Sequence, residues 1–226
     1  MKKRKPLYVL SAILLIMLAC SNPVEIISSI AKEDQTDSAG SSTTKILFQD
    51  DFSSPDSGWD RTSDDFLETD YVNGGYQISI NEGNFYGWAN PGKVFSDTRI
   101  KTDAELVKGD SQSEYGIICR YKDVRNFYAG LISADGFYAI LKNKNGEFEL
   151  VGMQYMQDSP QINQGLSSNK LQFDCIGDTL TLYVNGEILA QVKDSEFVNG
   201  DVGLIASAYE SPEAIVVFDD FMVYRP

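Results

Sequence analysis

Histidine is absent from all 226 residues of this chain. Histidine is the commonest general base in enzymes and the usual nitrogen ligand of zinc and iron. Its absence removes those forms of acid–base and metal chemistry and argues against catalysis. We therefore expect a binding protein rather than an enzyme.

The N-terminus lacks an apolar run long enough to span a membrane, because a transmembrane helix needs about 20 apolar residues. The run from Leu7 to Ala19 is shorter, and four consecutive basic residues at positions 2–5 come before it. This order of charged and apolar residues predicts a secretory signal peptide over residues 1–19. The rest of the chain is then expected outside the cytoplasm.

The end of the apolar run carries a second signal, since the small residue Ala19 is followed at once by Cys20. This junction resembles the bacterial lipoprotein box. The resemblance implies cleavage before Cys20 and lipidation of that residue, with a membrane anchor at the cell surface or in the periplasm. Met17 and Leu18 depart from the commonest box, so a cleaved secretory peptide without lipid stays open as an alternative.

Basic residues are few, with 19 Lys and Arg against 33 Asp and Glu. Removal of residues 1–19 leaves 15 basic residues against 33 acidic ones, a net charge of −18. Such a surface repels nucleic acid and anionic lipid headgroups. Nucleic-acid binding is thereby excluded, and membrane contact is expected through the lipid anchor only.

Large apolar residues are missing from positions 34–44. A segment of this composition cannot bury enough surface to order itself, so residues 20–44 are predicted to form a flexible tether. Residues 45–226 are enough for one domain that buries roughly 70% of the surface its unfolded chain would expose.

Helical periodicity is absent from this domain, and its pattern is that of β-strands. Residues 179–185 and 188–193 alternate between apolar and polar side chains on either side of Asn185-Gly186, as in a hairpin with one buried face. Similar Asn-Gly or Asp-Gly turn signals stand at Asn73-Gly74, Asp135-Gly136, Asn145-Gly146 and Asn199-Gly200. Further strands are predicted near 45–52, 75–81, 93–107, 114–122, 126–133, 137–143, 147–153, 169–176, 201–208 and 214–224. A dozen short antiparallel strands predict an all-β, two-sheet sandwich.

Short motifs follow one another along the domain in a characteristic order. They are Asp50-Asp51-Phe52, Gly58-Trp59, Gly74-Gly75-Tyr76, Cys119-Arg120-Tyr121, Asn126-Phe127-Tyr128, Leu182-Tyr183-Val184-Asn185-Gly186 and Phe218-Asp219-Asp220-Phe221. This order resembles the concanavalin A-like lectin/glucanase superfamily, and within it the 3-keto-disaccharide hydrolase-like branch, over about residues 47–226. The resemblance implies a jelly roll and carbohydrate recognition.

The catalytic motif of retaining glucanases in that superfamily, Glu-x-Asp-x-x-Glu, is missing from the chain. Asp103 and Glu105 lie two residues apart and so face the same side of a predicted strand, as a carboxylate pair would. Their alternation with apolar residues is equally typical of a solvated strand face, which we favour. We assign no catalytic residue.

Two cysteines remain in the domain, Cys119 and Cys175. Each shares strand parity with apolar neighbours, so both are predicted to face the core. In an oxidising compartment they are expected to form a disulfide. Two buried free thiols are the alternative.

Acidic pairs stand near the first and last predicted strands, which lie side by side in many sandwiches. Carboxylate oxygens suit calcium, and relatives in the superfamily hold a structural calcium with a last-strand aspartate. Asp51, Asp219 and Asp220 are therefore candidate ligands for calcium. Paired aspartates also serve as bulge or turn residues, so that alternative stays open.

Aromatic and planar side chains are the candidates for stacking on sugar rings. Residues 85–90 form the best cluster, predicted as a loop at the rim of a sheet. The candidate ligand-binding residues are Tyr86, Trp88, Arg120, Tyr128 and Tyr138, and a role in the core is the alternative for each. We expect a noncatalytic module that binds carbohydrate or an envelope polysaccharide. A glycoside-processing hydrolase and a protein-interaction module of the envelope are the alternatives.

Overall fold

A computed structural model describes residues 45–210 and 212–226. The predicted signal peptide, the lipidation site Cys20 and the tether over residues 20–44 lie outside the described residues, and those predictions stay predictions. Within the described ranges, no helix has the length and apolar character needed to cross a bilayer.

The described part of the chain consists of strands joined by turns and loops. In chain order they are β1 (Ile46–Asp50), β2 (Thr62–Ser63), β3 (Leu67–Val72), β4 (Gly75–Ile80), β5 (Phe85–Ala89), β6 (Val94–Phe95), β7 (Thr98–Lys108), β8 (Glu114–Asp123), β9 (Asn126–Ser133), β10 (Phe137–Lys144), β11 (Glu147–Leu150), β12 (Gln157–Asp158), β13 (Ser168–Ile176), β14 (Thr179–Val184), β15 (Glu187–Lys193), β16 (Gly200–Ala208) and β17 (Ala214–Tyr224).

The strands form two antiparallel sheets. Sheet 1 has the order β15-β14-β13-β7-β17-β4-β3-β2, with β1 paired to β17. Sheet 2 has the order β11-β10-β9-β8-β16-β5, with β12 paired to β10 and β6 to β16. Two facing antiparallel sheets confirm the predicted all-β sandwich.

Alternation along β7 shows how the sequence places the core. Ile100, Ala104 and Leu106 are buried between the sheets, whereas Asp103 and Glu105 point outward. Asp103 forms an ion pair with Lys170, with 2.7 Å between the carboxylate oxygen and the ammonium nitrogen. The two carboxylates therefore lie on a solvated strand face.

A disulfide joins the two sheets, between Cys119 on β8 and Cys175 on β13. Both residues are fully buried, so the predicted pairing is confirmed and the alternative of two free thiols is wrong. The bond closes a loop with a sequence separation of 56 residues. In the chain-entropy description such a loop contributes about 4 kcal/mol to stability.

Three of the predicted Asn-Gly turns have the positive φ angles of tight hairpins. They are Asn73-Gly74 (45° and 82°), Asn145-Gly146 (57° and 89°) and Asn185-Gly186 (52° and 92°). They connect β3 to β4, β10 to β11 and β14 to β15. Asn199-Gly200 differs, because it leads into β16 instead of joining two hairpin strands.

Two predicted boundaries were wrong. Residues 85–89, predicted as a rim loop, form β5 at the edge of sheet 2. The predicted strand over 93–107 is divided into β6 and β7, which pair in different sheets. In both places the deciding factor was a partner strand distant in sequence, which local turn signals do not reveal.

Candidate functional site

The outer face of sheet 2 carries an apolar cluster of its own, separate from the core between the sheets. The cluster consists of Ile118, Phe127, Ala129, Leu131, Leu141 and Ile205. These side chains are at most 5% exposed although they point away from sheet 1. One of them, Ile205, lies on β16, a strand that is buried along its whole length.

Four aromatic side chains cover this outer cluster, and we call them the aromatic cover: Tyr86, Trp88, Tyr121 and Phe148. The rings of Trp88 and Phe127 have centroids 5.2 Å apart, and those of Tyr121 and Phe127 are stacked at 5.8 Å. Phe148 meets Phe127 edge-on at 6.2 Å and Tyr86 at 5.1 Å. The centre of this face is thus filled by the protein's own side chains.

The contact between Tyr86 and Phe148 reveals the curvature of sheet 2. Tyr86 lies on β5 and Phe148 on β11, the strands at opposite ends of the sheet order. Neighbouring strands are about 4.8 Å apart, so a flat sheet would hold these residues far beyond contact. The outer face must therefore be concave, and it is open at the flanks of the aromatic cover.

One such flank is a cleft of about 360 Å³, which we call the Trp88 cleft. It is lined by Asp60, Arg61, Thr62, Leu67, Phe85, Tyr86, Gly87, Trp88, Tyr121 and Val124. Strand β5 positions Tyr86 and Trp88, which lie opposite Ser207 and Ile205 in the ladder. Because Gly87 has no side chain, β5 can lie close to Leu67 and Ile80, where a Cβ atom would be 2.4 and 2.7 Å from their methyl groups.

The polar groups of the Trp88 cleft are held by the surrounding chain. The Asp60 carboxylate accepts the backbone N–H of Asn90 at 3.1 Å. Arg61 forms an ion pair with Asp70 at 2.7 Å. The cleft therefore presents aromatic faces beside an acidic and a basic side chain, and both of these are held in place by hydrogen bonds or an ion pair.

The other flank is a cleft of about 370 Å³, which we call the Glu114 cleft. It is lined by Gln112, Glu114, Ser133, Asp135, Phe137, Tyr155, Met156 and Tyr209. Glu114 lies at the start of β8 and Ser133 at the end of β9. Asp135 lies in the turn that follows β9. Residues far apart in sequence thus place two carboxyl groups in one cleft.

Burial raises the pKa of the Glu114 carboxyl above its ordinary value of 4.5, and the negative charge of Asp135 raises it further. The Tyr86 hydroxyl donates a hydrogen bond to this carboxyl, which opposes the rise. Tyr86 lines the Trp88 cleft and Glu114 lines the Glu114 cleft, so this hydrogen bond joins a lining residue of one cleft to a lining residue of the other.

The sequence-predicted ligand residues separate into two groups. Tyr86 and Trp88 lie together in the aromatic cover. Arg120, Tyr128 and Tyr138 point to the other side of sheet 2, where Tyr138 packs partly buried against the core. Arg120 is 2% exposed and donates to the carbonyl oxygens of Phe197 and Gly177, both at 2.8 Å.

The position of Arg120 has a local cause. A bulge between Cys119 and Asp123 interrupts the ladder, and Arg120 has a φ of 54°. The bulge turns Arg120 inward and leaves Tyr121 on the concave face. Tyr128 also faces inward, where its hydroxyl donates to Asp194 and accepts the N–H of Phe197 at 3.1 Å. These three residues therefore lie outside the candidate site.

Several residues of the site were missed by the sequence analysis. They are Tyr121 and Phe148 of the aromatic cover and the lining residues Glu114, Asp135, Tyr155 and Tyr209. Phe148 could have been found from the sequence, because strand alternation on β11 places it on the same face as Leu150. The pairing of Glu114 with Asp135 had no local signal, because it depends on strand register.

The candidate calcium ligands lie where β1 and β17 pair. Asp51 and Asp220 line one cleft, and Asp219 precedes a bulge at which Asp220 has a φ of 51°. Asp51 accepts hydrogen bonds from Ser53, and Asp219 accepts the N–H of Asp220 at 2.7 Å. Across the described residues, no group of three or more His, Cys, Asp or Glu side chains is arranged to hold a metal ion.

Solved structures with the same architecture include proteins of several functions. The carbohydrate-binding module CBM66 from Bacillus subtilis matches with a TM-score of 0.61 at 19% identity, over 74% of this chain and 96% of the module. A protein of unknown function with a galectin-like fold, also from B. subtilis, matches with a TM-score of 0.59 at 12% identity, over 79% and 95% of the two chains.

The catalytic domain of an endo-1,3-β-glucanase from Thermotoga petrophila has a TM-score of 0.57 at 10% identity, over 80% and 98% of the two chains. These likenesses establish a jelly-roll β-sandwich fold, as predicted. The sequence matches no protein-family model and no curated protein.

Proposed function

We propose that this protein binds carbohydrate without catalysis, through the flanks of the concave face of sheet 2. The observation that carries the proposal is the Trp88 cleft, where three aromatic rings of the aromatic cover stand beside Asp60, Arg61 and Thr62. Sugar rings present apolar faces that stack on aromatic side chains, and their hydroxyl groups need nearby donors and acceptors. The cleft supplies both kinds of group.

The fold supports the same proposal, since the neighbours include a carbohydrate-binding module and a glucanase. Fold alone does not define an activity, so the residues of the Trp88 cleft carry the proposal. The strongly acidic chain fits a neutral or cationic polysaccharide better than an anionic one.

The test is a glycan-array assay on residues 45–226, which contain every described strand and both apolar clusters. The fragment is purified oxidised and assayed with calcium present. We expect saturable binding to one polysaccharide class, and we expect Trp88→Ala to abolish it while the thermal transition persists. Tyr183→Ala, an aromatic truncation on the outer face of sheet 1, is the matched control and should bind normally. Absence of binding to every glycan would refute the proposal.

A glycoside-processing hydrolase of the 3-keto-disaccharide type is the second candidate, because the Glu114 cleft contains two carboxyl groups. The raised pKa of Glu114 is the property a general acid needs, and Asp135 would supply the second carboxyl group. Reducing-sugar release from the polysaccharide found on the array, lost in Glu114→Gln, would support this function. Binding without release would leave the noncatalytic proposal standing.

We propose that the domain lies at a membrane surface outside the cytoplasm. It would be anchored by a lipid attached to Cys20 and connected to that anchor by a tether over residues 20–44. The Cys119–Cys175 disulfide supports an oxidising compartment. Metabolic labelling with a fatty acid tests the anchor. The label should be incorporated by the native chain and should be lost in Cys20→Ser.

We also propose that Asp51, Asp219 and Asp220 bind a structural calcium ion. The pKa of Asp219 is raised by burial and then by the negative charges of Asp220, Asp103 and Asp51, a repulsion that a divalent cation would relieve. Thermal unfolding with calcium and with a chelator is the test. Equal Tm values in the two conditions would count against the ion.

A further inference from the structure

We propose that the Glu114 cleft is a subsite for a protonated amine, and specifically for an amino-sugar unit whose amino group is not acetylated. The proposal rests on the proposed carbohydrate-binding function and names the chemical class of sugar that this second cleft would take. It is carried by the carboxyl groups, the exposed rings and the charge of the cleft.

The charged groups of the cleft are all acidic. Glu114 and Asp135 line it, and none of its lining residues is Lys or Arg. The Trp88 cleft differs, because Arg61 contributes a guanidinium there. The chain as a whole is also strongly acidic, which raises the local concentration of cations near its surface. The Glu114 cleft is thus selective for positive charge.

Exposed aromatic rings surround the two carboxyl groups. Phe137, Tyr155 and Tyr209 are 38%, 69% and 44% exposed, so their rings are accessible to a ligand. An ammonium group is attracted to the face of an aromatic ring, and more strongly when it is desolvated. The same rings can stack on the apolar face of a pyranose. An amino sugar uses both interactions in one residue.

The Glu114 carboxyl is held in place for such a ligand. The Tyr86 hydroxyl donates to its Oε2 atom, and the backbone N–H of Glu114 donates to Ser207 Oγ at 3.3 Å. On the other side of the cleft, the Ser133 hydroxyl donates to the Asp135 carboxylate. The two acceptors therefore have defined positions before a ligand arrives, which reduces the entropy lost on binding.

A bound ammonium group also offsets an electrostatic cost that the free protein carries. Burial and the Asp135 charge both disfavour the ionised form of Glu114. A positive charge between the two carboxylates favours that form and gains a charge-assisted hydrogen bond. A neutral acetamido group offers neither benefit, so acetylation of the sugar should weaken binding.

The experiment is calorimetric titration of residues 45–226 with a β-1,4-linked glucosamine hexamer and, in parallel, with its fully N-acetylated counterpart. We expect the glucosamine hexamer to bind at least roughly tenfold more tightly, as the loss of one charge-assisted hydrogen bond implies. Glu114→Gln and Asp135→Asn should each weaken its binding by a similar factor.

The matched control is Glu187→Gln, which removes one acidic charge at an exposed position on β15 in sheet 1. Its affinity for the glucosamine hexamer should equal that of the native domain. An equal loss in Glu187→Gln and Glu114→Gln would show general attraction of a polycation and would overturn the proposal. Equal affinity for the two hexamers would also overturn it, while leaving carbohydrate binding intact. If neither hexamer binds, this proposal is overturned, and the glycan array decides whether the proposed carbohydrate binding fails as well.

Discussion

The ring centroid of Tyr86 lies 5.1 Å from that of Phe148, although the two residues belong to the strands at opposite ends of sheet 2. Four strands separate them in the sheet order. The contact closes the aromatic cover over the outer cluster and leaves two clefts at its flanks. Removal of either ring should therefore change both the stability of the face and its access to ligand.

Truncation of the cover is the first prediction. Phe148→Ala should lower the free energy of unfolding by about 1 kcal/mol, which is the size of a typical aromatic-pair interaction. The loss should be no larger, because Phe148 is already 43% exposed and buries little apolar surface. It should also increase binding of a hydrophobic fluorescent dye, since Phe127 becomes accessible. Urea unfolding and dye fluorescence are the measurements. Tyr155→Ala, which removes a more exposed ring outside the aromatic cover, should change neither quantity.

The pH dependence of stability tests the environment of Glu114. Its pKa in the folded protein is raised above the ordinary value of 4.5, mainly by burial and also by Asp135. Protonated Glu114 therefore favours the folded state below about pH 4.5, and this contribution is lost as the pH rises through the folded pKa.

Glu114→Gln should abolish that part of the pH dependence and make the domain more stable than the native one at neutral pH. Urea unfolding from pH 4 to pH 8 measures the difference. Because Asp201 and Asp219 also have raised pKa values, part of the slope should remain in the variant. An unchanged slope would show that Glu114 titrates normally.

Loss of the disulfide should destabilise the domain strongly. Cys119→Ala combined with Cys175→Ala should lower the free energy of unfolding by up to about 4 kcal/mol, because the unfolded chain regains the freedom of a closed loop. Reduction of the native domain should have a comparable effect. The double variant is its own control, since added reductant should leave its unfolding midpoint unchanged.

Arg120 should be a structural residue and not a ligand contact. Arg120→Ala should cost about 3–5 kcal/mol, since it leaves two backbone carbonyl oxygens without their donor and a cavity in place of a buried side chain. Hydrogen exchange should speed up around residues 194–200. Arg61→Ala, which breaks an exposed ion pair, should cost no more than about 1 kcal/mol.

The sequence alone determined the features that depend on neighbours along the chain. Alternating side chains predicted the strands and their buried faces, and Asn-Gly dipeptides predicted three hairpins because only a few residues tolerate positive φ angles. Parity placed Cys119 and Cys175 in the core, where they pair. Tyr86 and Trp88 were recognised as a cluster because they lie in one short segment.

Only the tertiary structure decided which distant residues share the concave face. One bulge turned Arg120 into the core and left Tyr121 outside, an outcome that strand alternation cannot predict. The register of β8 against β9 brought Glu114 beside the turn that holds Asp135. Curvature of sheet 2 joined Tyr86 to Phe148. These contacts depend on pairing and bending summed over several strands, and such properties are not encoded in any single segment.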